Sequence, residues 1–288
     1  MVVDRLYESV KQKGVVCVGL DTDISYVPEE MAKAASTPGE AVFLFNKAIV
    51  DATADVSGCY KVQIAYYESL GLDGMLAYKK TLAYLREKGL IAIADIKRGD
   101  IAKTAEMYAK GHFEGDFEAD FVTLAPYMGM DSVTPYLPYF KEKNKGCFIL
   151  VRTSNPGSRD FQYLTTSSGK TIYDTVGAAV QALGQDYMGS CGFSSIGAVI
   201  GGTTSEEAET IRREMDKTFF LIPGYGAQGG KAEDIARYLV HGNGGVVNSS
   251  RAVLLAYKKH GGAFDEAARA EVLRMRKEIE DACKLLEK

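Results

Sequence analysis

Leu90-Ile91-Ala92-Ile93-Ala94-Asp95-Ile96-Lys97-Arg98-Gly99-Asp100 is the stretch on which the reading of this chain turns. An apolar run passes without interruption into a D-x-K-x-x-D array. Runs that are apolar without alternation suit strands covered on both faces, as in a parallel sheet flanked by helices. Charges at the carboxyl end of such a strand stand where α/β proteins place their chemistry. On a regular strand, residues i and i+2 share a face, so Asp95 and Lys97 are expected to point the same way. Packing opposite charges there is costly unless they form a network or serve a reaction. A solvated strand-to-helix turn would look the same from this segment alone.

Similar runs recur on either side. Strand candidates cover 15–20, 60–65, 90–96, 121–125, 147–152, 196–200, 219–223 and 245–248. Helical patterns lie between or after them, among them 40–54, 75–88, 132–143, 171–188, 205–215, 231–239 and 264–286. Eight strands, each followed by a helix, predict a single (β/α)8 TIM barrel spanning 1–288, a length that suits the fold. A doubly wound open sheet usually needs fewer strands, and no composition break or linker divides the chain. The segment 155–170, rich in Ser, Thr, Gly and Asn, is long for a compact domain and reads as a lid over a ligand, with a surface insertion as the alternative.

With 34 basic and 38 acidic residues the net charge is -4, and no basic stripe points to nucleic acid. No apolar run approaches the roughly 20 residues that span a bilayer. Cys17, Cys59, Cys147, Cys191 and Cys283 form no C-x-x-C pair, so a reduced, cytoplasmic protein is expected rather than disulfides or zinc. The three histidines show no metal-ligand or triad spacing, and no metal is expected.

A barrel would bring the residues just past each strand to one mouth. These are Asp21, Lys61, the Asp95/Lys97/Asp100 array, Thr123, Ser154, Gln228 and Arg251. Each has a plain alternative: Asp21 also suits a turn and Lys61 a snorkelling strand residue. Asp21 begins a poor calcium loop, with Tyr26 where glycine belongs and Ala32 where glutamate belongs. Together, two lysines and three carboxylates would ring one cleft. Gly224-Tyr225-Gly226-Ala227-Gln228-Gly229 spells G-x-G-x-x-G, but in the penultimate unit rather than the first. Barrels commonly bind phosphate through their last two loops, so Gly226, Ala227, Ser250 and Arg251 read as a phosphate grip.

These segments resemble the orotidine 5'-phosphate decarboxylase family, in its longer bacterial-type subfamily. The matching stretches are Val18-Gly19-Leu20-Asp21, Lys61 in Tyr60-Lys61-Val62-Gln63, the array with Ile101, and Thr123-Leu124-Ala125-Pro126-Tyr127-Met128-Gly129. Arg152-Thr153-Ser154-Asn155-Pro156-Gly157, Pro223 through Gln228, and Asn248-Ser249-Ser250-Arg251 complete the set. The resemblance implies decarboxylation of orotidine 5'-monophosphate to uridine 5'-monophosphate without a cofactor. It implies that Lys97 protonates the ring carbon, Asp95 lies beside the departing carboxylate, and Lys61 joins the charged network and the ribose. Asp21 would bind ribose hydroxyls, Ser154 the pyrimidine amide, Gln228 both base and phosphate sides, and Arg251 the phosphate. Thr123 falls among the substrate-contacting positions. Asp100, Ile101 and Thr104 would enter the site of a neighbouring subunit in a homodimer. Two rivals remain at this level: a metal-dependent sugar-phosphate enzyme built on the same array, and a catalytically silent phosphate-binding barrel.

Overall fold

In the computed structural model, which describes residues 1–202, 205–225 and 230–287, every apolar run forms a strand. These are β1 (Val16–Gly19), β2 (Cys59–Gln63), β3 (Ala92–Arg98), β4 (Phe121–Leu124), β5 (Gly146–Arg152), β6 (Ser194–Ile200), β7 (Thr218–Pro223) and β8 (Gly245–Ser249). They pair in sequence order, all parallel, and β8 returns to β1 through Val16–Val247 and Cys17–Asn248 to close the barrel. The (β/α)8 architecture expected from the sequence is the fold. Every residue of β1, β4, β6 and β8 is buried, which is why these runs do not alternate.

The long helices Pro38–Thr53, Gly71–Glu87, Ile172–Gly184 and Phe264–Leu286 lie where the apolar periodicity put them. Their starts carry familiar signals. Thr37 accepts from the Glu40 amide with Pro38 at the first helical position, and Thr171 and Asp174 form a reciprocal capping box. The stretch 132–143 is not one helix. It breaks into 3-10 turns at Met130–Ser132 and Thr134–Tyr136 and a helix at Leu137–Glu142. Pro135 and Pro138 lack amide donors and clash with preceding carbonyls, so they sit only in first turns. Strand 60–65 also ends early: Gln63 caps a short helix, Ile64–Glu68, by accepting from the Ala65 amide.

The amino-terminal ends of the strands are closed by dedicated contacts. The helix Val2–Lys13 buries Val2, Val3, Leu6 and Val10; its Ser9 donates to the Gly58 carbonyl, and its Asp4 accepts from the Cys191 amide. Arg212, on the helix Ser205–Glu214, donates to the carbonyls of Tyr238, Met215, Thr218 and Gly244. Its guanidinium lies 3.5 Å from the centre of the Phe220 ring.

Candidate active site

β3 carries the array out of the barrel through an irregularity. Its register with β4 holds at Ile93–Phe121 and Ala94–Val122, then slips before resuming at Arg98–Leu124. Lys97 adopts φ 46°, the left-handed region, which costs a side-chain-bearing residue about 1–2 kcal/mol. Asp95 and Lys97 therefore meet through a bulge and not across a regular strand face. Bulges next to active sites commonly re-aim a side chain in this way. The Thr123 hydroxyl accepts from the amides of Ile96 and Lys97, each at 3.0 Å, and donates to Asp95 Oδ1 at 2.8 Å.

Around that bulge the strand ends are tied into one network. Lys97 Nζ donates to Asp95 Oδ1 at 2.6 Å, and Lys61 Nζ donates to Asp95 Oδ2 at 2.8 Å and Asp21 Oδ1 at 2.9 Å. Asp21 Oδ2 accepts from Ser250 Oγ at 2.8 Å, so β1 and the β8 loop are joined as well. Asn248 continues the chain, with its Nδ2 3.4 Å from Ser250 Oγ and its Oδ1 accepting from Cys17 Sγ at 3.7 Å. Gly19 permits this seam: a Cβ there would lie 2.0 Å from Ser250 Oγ.

Burial works against charging both Asp95 and Lys61, yet the opposite charges win. Desolvation alone would raise the Asp95 carboxyl, but Lys61 and Lys97 hold it well below the ordinary carboxylate range. Desolvation would lower Lys61, and Asp21 with Asp95 push its ammonium above the ordinary lysine range. The two lysines differ in access. The Lys61 side chain is 5% exposed, locked between two carboxylates, whereas that of Lys97 is 46% exposed and can reach a reactant.

A cavity of about 370 Å³ opens beside the network, lined by Asp21, Lys61, Tyr26, Tyr66, Asn248 and Arg251 among others. Ser250, expected on the phosphate side, points its hydroxyl at Asp21. Gly226, Ala227 and Gln228 lie outside the described residues. Ser154 follows β5, packed so closely on Gly201 that a Cβ there would meet its amide at 2.8 Å. Asp100 stands apart from the lysines: its Oδ1 accepts from the Ile101 amide at 2.8 Å, and Ile101 and Thr104 are exposed. The 155–170 segment is tied near its middle to the end of β5, Gln162 accepting from the Thr153 amide and donating to its hydroxyl, both at 2.8 Å.

Tyr26, Tyr66 and Asn248 were not singled out by their sequence context. Asn248 carried a signal, as the polar residue ending the run Gly245-Val246-Val247-Asn248. Tyr66 carried none, because the short helix that places it depends on Gln63 ending β2 early.

Fold and mouth together define a barrel enzyme whose strand ends hold a hydrogen-bonded set of two ammonium and two carboxylate groups, with Lys61 and Asp95 buried at its centre. The chain belongs to the Orotidine 5'-phosphate decarboxylase / HUMPS family, whose pattern matches residues 14–263. The orotidine 5'-phosphate decarboxylase of Clostridium novyi is 60% identical over 282 residues, covering 97% of this chain and 98% of that one. That of Clostridium acetobutylicum is 62% identical, with 97% and 99% covered. The solved OMP decarboxylase of Leishmania donovani superposes with a TM-score of 0.77 at 27% identity, covering 98% of this chain and 99% of its own.

Proposed function

We infer that Lys97 is the proton donor in the reaction this chain carries out, the decarboxylation of orotidine 5'-monophosphate to uridine 5'-monophosphate and carbon dioxide. The observation that carries the reading is the contrast between the locked Lys61 and the half-exposed Lys97, which share the Asp95 carboxylate. Loss of carbon dioxide leaves an electron pair on a ring carbon with no good route for delocalisation. A fixed ammonium stabilises that pair and then neutralises it by giving up a proton. Unit charges 4 Å apart interact by about 4 kcal/mol at an effective dielectric of 20, so a preorganised pair of lysines is a strong lever. Asp95 faces the departing carboxylate, and its part is to hold both ammonium groups in place before the reaction starts.

Asp21 and Lys61 then serve the ribose, and Ser154 and Gln228 the base. Arg251, with Gly226, Ala227 and Ser250, serves the phosphate, and 155–170 closes as a lid. Support for the ribose and phosphate ends is the shared cavity that Asp21, Lys61, Ser250 and Arg251 line. Exposed Ile101 and Met107, on the segment that follows Asp100, and exposed Tyr127 and Met128 after β4 support a homodimer in which Asp100, Ile101 and Thr104 complete the partner's site. Five free thiols, three of them buried, fit the cytoplasm, and no helix among the described residues is long and apolar enough to cross a membrane. The metal-dependent sugar-phosphate reading is disfavoured by Lys61. Its ammonium already sits between Asp21 and Asp95, where a divalent cation would need those oxygens.

The test is the absorbance change of orotidine 5'-monophosphate in EDTA. Wild-type protein should turn over, while Lys97→Ala loses about 10³-fold or more in kcat and still binds uridine 5'-monophosphate. Near-normal turnover by Lys97→Ala removes the donor assignment. Mixing Lys97→Ala with Asp100→Ala subunits should restore activity, because a mixed dimer regains one intact site. No rescue after verified subunit exchange rules out shared sites.

A further inference from the structure

At the third and fourth strands, one hydroxyl does the work that backbone pairing abandons. Where β3 slips against β4, regular pairing stops after Ala94 and resumes only at Arg98, with the amides of Ile96 and Lys97 inside the break. Both amides are taken up instead by Thr123 Oγ1, at 3.0 Å each. Its proton goes to Asp95 Oδ1 at 2.8 Å. A hydroxyl has one donor and two acceptor sites, so Thr123 is fully committed. Being 1% exposed, it also presents no surface to a ligand. All its partners lie on the bulge that bears Asp95 and Lys97.

We propose that Thr123 is a positioning residue for the decarboxylation, fixing the left-handed backbone of Lys97 and the orientation of the Asp95 carboxylate, and is not a substrate contact. The proposal rests on Lys97 as proton donor. Substitution by valine keeps the volume but orphans the buried amide of Ile96, releases the half-buried amide of Lys97 and strips one donor from Asp95. The bulge then loses its tie to β4 between Ala94 and Arg98, and the Lys97 ammonium drifts from its place against Asp95. Displacement by about 1 Å is enough to cost on the order of 100-fold in rate.

The experiment compares Thr123→Val, Thr123→Ser and Lys97→Ala for kcat, KM, the Kd of uridine 5'-monophosphate and the melting temperature. Thr123→Val should lose about 100-fold in kcat, with product Kd within about threefold of wild type; Thr123→Ser, which keeps the hydroxyl, should recover to within about tenfold of the wild-type kcat. A Thr123→Val protein with unchanged kcat overturns the proposal, whether its product binding is weakened (a substrate contact) or only its melting temperature falls (a packing role). Should the valine protein fail to fold, Thr123→Cys, with a weak donor of similar size, must show the same loss of kcat; an unchanged kcat in that variant overturns the proposal equally. Lys97→Ala separates the two levels. Its retained turnover would sink the donor assignment, whereas an inactive Lys97→Ala beside a fully active Thr123→Val sinks the positioning role alone.

Discussion

Lys61 and Arg212 are both buried cations, one at each end of the barrel, and they are satisfied in opposite ways. Lys61 is held by the carboxylates of Asp21 and Asp95 and borders a cavity. Arg212 meets no carboxylate within ion-pair distance in the described residues; four of its five donors go to backbone carbonyls and it lies over Phe220. Carbonyls at fixed positions cannot be traded for a ligand, so Arg212 cross-links the helix Ser205–Glu214 to the starts of β7 and β8. Ion pairs at a cleft can be shared with an incoming charge. On the proposed reading, burial of a charge marks function at one end and architecture at the other, and the partner type tells them apart.

The contrast breaks if the two ends respond alike to removal of the cation. Lys61→Met should lower kcat about 10²–10³-fold while costing only about 1–2 kcal/mol of stability, because Asp95 keeps Lys97 and Thr123 and Asp21 keeps Ser250. Turnover and urea unfolding on the same samples check both halves. Arg212→Met should do the reverse, destabilising by about 2–4 kcal/mol as four carbonyls lose the guanidinium, those of Met215 and Gly244 keeping only the amides of Thr218 and Phe220, with kcat of the folded protein within about twofold of wild type. Calorimetric melting beside turnover at 25 °C reads this, and a large loss of kcat in folded Arg212→Met would erase the distinction.

Acid sharpens the comparison further. His112 is buried with Nδ1 unpartnered, and burial, aided by Arg98, lowers its pKa to about 4. The unfolded chain binds that proton near 6.5, so stability is lost as pH falls from about 6.5 to 4, by up to about 1.4 kcal/mol per unit. Asp95, whose carboxyl is depressed, contributes stability that is intact above the unfolded value near 4 and is lost only below it. His112→Phe should flatten the urea midpoint between pH 6.5 and 4.5 and leave the steeper loss below pH 4. An unchanged slope in the upper window would reassign the acid sensitivity.

Much of this was legible in the residues. The eight strands were readable because both-sided burial demands continuous apolar runs; Asp21, Asp95 and Lys97 were readable at the ends of those runs, and Lys61 as a lone charge within one. The helix Ala102–Phe113, expected after the third strand, leaves only a faint pattern in the sequence. It buries Ala105, Ala109, His112 and Phe113, a correct helical spacing written in weakly hydrophobic letters. The left-handed Lys97 was also hidden, since the slip that produces it belongs to the pairing of β3 with β4 and to neither strand alone. Thr123 looked like another polar strand end facing ligand; only the geometry turns its hydroxyl toward the bulge. Arg212 sat in a polar helix, with nothing to announce the four carbonyls around it.

The seam between β1 and β8 bears on how the protein is made. Asp21 receives its hydrogen bond from Ser250, 229 residues later in the chain. At a synthesis rate of about 5–20 residues per second, β1 waits roughly 10–45 seconds for its second neighbour, with one edge unpaired. Until β8 arrives, Asp21 has Lys61 but not Ser250. The nascent chain can thus assemble most of its barrel and still lack a finished mouth. Competence comes late in synthesis, when the last strand docks against the first.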